Sequence, residues 1–121
     1  MRKNTETNNG IVNYNHRVGG NYMDLRETQK AVYQNKLNKG FNVTDINKEF
    51  CLLYGEVSEA YEAWRKKRDD VGEELADVAI YLLGLSEILG IDLATEIEKK
   101  VDKNMGREYE IIDGVLVRIS E

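Results

Sequence analysis

The sequence predicts an all-α protein, a bundle of four to five helices that ends in a short β-hairpin. The 121-residue chain has no proline, and 32% of its residues are charged, a composition that suits long uninterrupted helices. Apolar residues recur at helical spacing until about residue 104, and the period then changes to that of strands. A chain of this length forms one domain. We expect a flexible N-terminal tail at residues 1–23, a helical domain at residues 24–107 and a hairpin at residues 108–121.

The N-terminal segment is the least apolar part of the chain. Its first 23 residues contain six Asn, three Gly and few large apolar side chains. They bury too little surface to offset the entropy lost on ordering, which predicts a tail. The alternative is that Ile11, Val12, Tyr14 and Val18 add an edge strand or cover a site in an oligomer.

Capping residues predict where the main helices begin and end. Asp and Thr accept hydrogen bonds from unpaired backbone N–H groups, and glycine tolerates the left-handed conformation that ends many helices. In chain order, the candidate N-caps are Asp24, Thr44 or Asp45, Asp69 or Asp70, and Asp92. The corresponding ends are Gly40, the basic residues 65–68, Gly90, and Asn104 or Gly106. Further on, Asp113-Gly114 separates two β-prone runs and predicts a type I′ hairpin turn.

The third helix is apolar on nearly all sides. Leu75 and Leu82 belong to its main stripe, and Ile80 and Leu85 widen it. A helix of this kind is buried on every side in a soluble protein, and so small a chain hardly covers it. We therefore expect a dimer or a larger assembly.

Charge and composition exclude several classes of function. The net charge of -5 gives no global basic field, which argues against nucleic acid polymers as partners. A single cysteine, Cys51, and a single histidine, His16, exclude an intrachain disulfide, a Cys/His zinc site and mechanisms that use several histidines. No signal-like segment is visible, and the longest apolar run, Val78–Leu85, is far shorter than the roughly 20 residues that span a bilayer. We expect a cytoplasmic protein without a membrane partner.

Two pairs of acidic residues carry the strongest functional signal. Glu56 and Glu59 lie on the second helix, and Glu74 and Asp77 lie on the third. Three residues advance about 300° around a helix, so the members of each pair share one face. The short connection makes the two helices antiparallel neighbours, which brings the pairs face to face. Four convergent anions repel one another unless a cation joins them.

The chemistry of the ligands indicates which cation. Carboxylates without imidazole or thiolate favour Mg²⁺, with Mn²⁺ as a substitute, and Mg²⁺ commonly joins carboxylates to substrate phosphates. The alternative is that these acids only solvate helix surfaces, as most helical acids do. Glu74 and Asp77 argue against it, because they interrupt the most apolar helix, where unpaired acids are costly.

The segments Glu56–Trp64 and Glu73–Leu85 resemble the MazG-like branch of the all-α nucleoside triphosphate pyrophosphohydrolases. The resemblance covers roughly residues 25–108, and the paired E-x-x-E and E-x-x-D motifs are its diagnostic part. It implies a helical bundle assembled as a dimer or a dimer of dimers, Mg²⁺ dependence, and cleavage of a nucleotide between its α and β phosphates. The products are the monophosphate and pyrophosphate.

The resemblance also assigns roles to individual positions. The implied metal ligands are Glu56, Glu59, Glu74 and Asp77. The positions implied to contact phosphate and sugar are Lys100, Asn104 and Arg107. Lys100, Lys103 and Arg107 supply local positive charge in this interpretation, and a solvated last turn that complements the helix dipole is the alternative for these cations. The N-terminal tail and the hairpin are not part of the family pattern.

Hydrolysis of this kind uses a metal-activated water, and Glu59 or Glu56 orients or deprotonates it. Tyr81 lies one turn after the second acidic pair, and Trp64 lies near the end of the second helix. Both are candidates for stacking on a nucleobase, and core packing is the alternative for each.

The leading hypothesis is therefore an Mg²⁺-dependent pyrophosphohydrolase that converts an NTP or dNTP to the monophosphate and pyrophosphate. A second hypothesis keeps fold and reaction but changes the substrate to a phosphoribosyl-ATP-like or modified nucleotide. A third is a non-catalytic helical interaction protein, in which the acids are a solvated face and the apolar third helix binds a partner.

Overall fold

The computed structural model describes the backbone of residues 5–6, 12–13, 17–18 and 21–120, and the side chains of residues 23–120. The described residues form four helices, which are α1 (Leu25–Lys39), α2 (Ile46–Arg65), α3 (Val71–Ile88) and α4 (Leu93–Met105). The predicted all-α fold with a short terminal hairpin is confirmed. The chain divides into two compact units, Met1–Ile91 and Asp92–Glu121. The predicted boundaries after residues 23 and 107 stay predictions.

Short strand pairs lie before α1. The pairs are β1 (Thr5–Glu6) with β2 (Val12–Asn13) and β3 (Arg17–Val18) with β4 (Asn21–Tyr22), both antiparallel. The predicted tail at residues 1–23 stays a prediction. Of the residues in the alternative, Val12 and Val18 lie in these pairs, and Ile11 and Tyr14 lie outside the described residues.

Aspartate caps begin three of the helices. The side chains of Asp24, Asp45 and Asp92 accept hydrogen bonds from the backbone N–H three residues on, over 3.0, 3.1 and 3.5 Å. Each bond satisfies a helical N–H that has no backbone partner, so these predicted caps are confirmed. Asp70 precedes α3 without such a bond in the described part of the chain, because its carboxylate pairs with Arg68 instead.

α3 is the central helix of the first unit and packs against both α1 and α2. It runs back alongside α2 after a short connection, as the sequence predicts. The buried apolar residues of the described chain are Ala60, Ala63, Leu83 and Leu85. Exposed apolar side chains of the same central helix are Leu75, Ile80 and Leu82. A single chain therefore leaves part of the apolar surface of α3 uncovered.

The second unit contains α4 and a hairpin of β5 (Tyr109–Ile112) and β6 (Val115–Arg118). The strands pair antiparallel, with Ile112 opposite Val115 across the turn. Asp113 and Gly114 adopt φ of 52° and 78°. Positive φ at both central residues is the requirement of a type I′ turn, so the predicted hairpin is confirmed.

None of the described helices is by itself long and apolar enough to cross a lipid bilayer.

Candidate metal centre

Three carboxyl groups converge where α2 meets α3. One oxygen each from Glu56, Glu59 and Glu74 lies within 4.8 Å of the others. The first two side chains lie three residues apart on α2, and the third reaches them from α3. Asp77 lies one turn after Glu74, outside this group of mutually close carboxyl groups in the described chain. The structure thus brings three of the four predicted ligands together.

The electrostatics of Glu56 reflect this crowding. Burial raises the pKa of its carboxyl group, and the negative charges of Glu59, Asp77 and Glu74 raise it further. The charge of Asp77 therefore acts on the cluster although its oxygens lie farther away. Removing the last proton from these groups costs free energy, and a divalent cation bound to them reverses that cost.

Glu74 lies at the edge of the cluster nearest to a cationic side chain. Burial raises the pKa of its carboxyl group, as do the charges of Asp70, Glu59 and Asp77, and Arg68 opposes the rise. The Nη2 atom of Arg68 lies 3.9 Å from Oε1 of Glu74 and pairs with Asp70. Oε2 of Glu74 is buried and has no hydrogen-bond partner among the described residues.

These residues fit a hard divalent cation. The donors are all carboxylate oxygens, they come from two helices held together by packing, and one buried oxygen has an unused lone pair. Oxygen donors of this kind suit Mg²⁺ and Mn²⁺ better than zinc or copper.

Tyr81 follows Asp77 by one turn of α3 and borders two surface hollows of about 340 and 320 Å³. Both hollows are lined by Tyr81, Lys36 and Phe41. Burial raises the pKa of Tyr81, and the negative charges of Glu56 and Glu49 raise it further, so the phenol stays neutral near pH 7. A neutral, partly covered ring one turn beyond the acidic residues is suitably placed to contact a ligand held there.

The MazG-like family model matches residues 42–115, which include α2, α3 and α4. The chain belongs to the MazG-like family. Among solved structures, this MazG-like protein is similar to the cyanophage S-2L MazG-like pyrophosphohydrolase bound to dGDP and three catalytic Mn²⁺ ions per active site. The TM-score is 0.58 at 25% sequence identity, and the similarity covers 81% of this chain and 99% of the cyanophage chain. No curated protein matches the sequence.

The side chain of Trp64 is largely exposed near the end of α2. Its side chain is 65% exposed and stacks on Tyr61, with ring centroids 6.1 Å apart and 29° between the planes. It lines neither of the two hollows. The stacking of Trp64 on a nucleobase stays a prediction. Its contact with Tyr61 and its absence from the lining of both hollows do not favour that role within a single chain.

The predicted phosphate and sugar contacts lie in the second unit. Lys100 and Asn104 are on α4, and Arg107 follows its end. Nη1 of Arg107 donates a 2.8 Å hydrogen bond to Oδ1 of Asn104, which orients the guanidinium. Their roles in substrate binding stay predictions.

Sequence reasoning missed three charged residues around the site. Sequence reasoning placed Arg68 only at the basic end of the second helix, although it lies six residues before Glu74 in the sequence. Glu49 lies seven residues before Glu56, and this spacing alone places both on one face of α2. Lys36 gave no such signal, because its contacts come from tertiary packing of α1.

Proposed function

We propose that this MazG-like protein is a nucleotide pyrophosphohydrolase that converts an NTP or dNTP to the monophosphate and pyrophosphate. The observation that carries the proposal is the convergence of Glu56, Glu59 and Glu74 across two packed helices. Family membership supports it, as does the similarity to a cyanophage pyrophosphohydrolase. A non-catalytic interaction protein has no need for acids that face one another across a helix interface.

The metal ligands in this proposal are Glu56, Glu59, Glu74 and Asp77, and the cation is Mg²⁺, with Mn²⁺ as a substitute. A bound divalent cation neutralises phosphate charge and lowers the pKa of a coordinated water. The chain contributes fixed positions for the carboxylates, because both helices are continuous through the motif.

In this proposal a side chain of α2 accepts the proton of the attacking water. One carboxylate, Glu59 or Glu56, orients the attacking water and accepts its proton at a side-chain oxygen. The pyrophosphate leaving group carries the developing charge, and Lys100, Asn104 and Arg107 bind the phosphates and the sugar.

Tyr81, which borders both hollows, binds the nucleobase in this proposal. Stacking of a base on an aromatic ring is worth about 1–3 kcal/mol. The uncovered apolar residues of α3 support assembly into a homodimer or homotetramer, because water contact with Leu75, Ile80 and Leu82 is unfavourable.

The test is product analysis. The protein is incubated with Mg²⁺ or Mn²⁺ and a panel of ribo- and deoxyribonucleoside triphosphates, dGDP, and phosphoribosyl-ATP-like and modified nucleotides. We expect monophosphate and pyrophosphate in equal amounts from at least one triphosphate. Turnover confined to a modified nucleotide would support the second hypothesis. Release of orthophosphate alone from the triphosphates, or no turnover of any nucleotide, would contradict the proposed reaction.

A further inference from the structure

A buried ion pair lies outside the carboxylate cluster, between α1 and α2. Lys36 pairs with Glu49, and their side chains are only 12% and 2% exposed. Removing two opposite charges from water is costly, so a buried pair adds little net stability to a fold. Its position therefore calls for another explanation.

The path of the Lys36 side chain depends on α3. Gly84 has no Cβ, and one placed there would lie 3.2 Å from Cδ of Lys36 and 3.4 Å from Cγ1 of Val32. The aliphatic part of the Lys36 side chain thus passes α3 at Gly84, where no side chain fills the space. This passage lets the ammonium group reach Glu49 on α2.

The same ammonium group faces Tyr81. Its Nζ atom lies 5.5 Å from the centroid of the Tyr81 ring, within the range of a cation–π contact. Tyr81 lies three residues before Gly84 on α3, about one turn nearer to the carboxylate cluster. The ring is partly covered and borders two hollows, both of which are also lined by Lys36.

We propose that Lys36 is a positioning residue, which is anchored by Glu49 and holds the Tyr81 ring in the orientation that receives the nucleobase. This inference rests on the proposed function, and it identifies how the base-binding side of that site is fixed. Lys36 acts through Tyr81 and contacts neither the phosphates nor the cation. Its loss therefore weakens substrate binding more than it slows the chemical step.

The variant Lys36→Met/Glu49→Gln removes both charges at once and leaves neither buried alone. We expect KM for the best nucleotide to rise about tenfold and kcat to change less than about threefold. Lys36→Arg retains the cation and should stay within about twofold of the wild-type KM. Lys39→Met, an exposed lysine of the same helix, is the matched control and should leave both constants unchanged.

A double-mutant cycle separates positioning from general weakening of the fold. In a Tyr81→Leu background, the double substitution should raise KM no further. The same tenfold rise in that background would overturn the proposal. Gly84→Ala is the second route if the charge variant does not fold, because it displaces the Lys36 stem without altering any charge, and it should raise KM in the same direction.

A readout without turnover keeps this inference distinct from the proposed function. NMR spectra of protein labelled with carbon-13 tyrosine, with the Tyr81 signal assigned from Tyr81→Phe, report the ring directly. In Lys36→Met/Glu49→Gln, or in Gly84→Ala, the Tyr81 signal should shift while those of Tyr54 and Tyr61 stay in place. An unshifted Tyr81 signal would overturn the positioning role. Absence of wild-type turnover alongside a shifted signal would contradict the reaction instead.

Discussion

Glu49 and Glu56 lie on the same face of α2, but their negative charges have different surroundings. Glu49 is almost fully buried, and the chain supplies its counter-ion, Lys36. Two turns later Glu56 faces other carboxyl groups, and burial and like charge raise its pKa. The nearest described cation at that end, Arg68, only borders the cluster, 3.9 Å from Glu74. Lys36 neutralises the first acid within the fold, whereas in the proposed function a cation from solution neutralises the second group.

The largest effect should follow from removing a carboxylate of the cluster. Glu59→Gln keeps the size of the side chain but removes a charged ligand, so kcat/KM should fall by about a thousandfold or more while the helical circular dichroism signal persists. Glu62→Gln is the matched control, because Glu62 lies on the same helix and pairs with Arg65 at 3.0 Å. Equal activity of Glu59→Gln and wild type would remove Glu59 from the site.

Glu49 should behave in the opposite way, with a large effect on stability. Glu49→Gln leaves the Lys36 ammonium buried without its partner, which we expect to lower the free energy of unfolding by about 3 kcal/mol. Urea unfolding at pH 7.5 without divalent cations measures this. A loss below about 0.5 kcal/mol would mean that the pair behaves like a solvated surface contact.

The pH dependence of stability should sharpen the contrast. A carboxyl group whose pKa is raised by folding contributes stability below its unfolded pKa and loses that contribution as pH rises through its folded pKa. Without divalent cations, Glu56→Gln should therefore be more stable than wild type at pH 7.5, and the difference should shrink towards pH 4. Urea unfolding across this range tests it. A difference that grows on acidification would show that the sign is wrong.

The smallest expected effect is a change in Mn²⁺ affinity after substitution of Arg68, at the edge of the cluster. Arg68→Ala removes a cation that competes for Glu74, so the affinity for Mn²⁺ in the absence of nucleotide should rise about twofold, the size typical of an exposed charge contact. Arg65→Ala serves as the control, because its guanidinium pairs with Glu62 instead. Weaker Mn²⁺ binding by Arg68→Ala would mean that this arginine supports the cluster rather than competing for it.

Local signals in the sequence were sufficient for most of the fold. The caps Asp24, Asp45 and Asp92 and the turn at Asp113-Gly114 act through neighbouring backbone, so their positions follow from sequence alone. The convergence of three of the four predicted ligands also followed, since helical spacing and a short connection determine it.

The rest depended on tertiary packing. The sequence suggests Asp70 as an N-cap, but its carboxylate pairs with Arg68 and accepts no capping hydrogen bond from the backbone of α3. Lys36 meets Glu49 only because α1 packs across Gly84, a contact between residues distant in sequence. Such contacts leave no periodic trace in the sequence.

Calorimetric titration of the nucleotide-free protein with Mg²⁺ and with Mn²⁺ at pH 7.5 tests the central claim most directly. We expect saturable binding by wild type and by Glu62→Gln, and binding weakened by at least about tenfold in Glu56→Gln and Glu59→Gln. Binding that is absent from the wild type, or equally strong in Glu59→Gln, would contradict the claim that the α2–α3 carboxylates hold the cation.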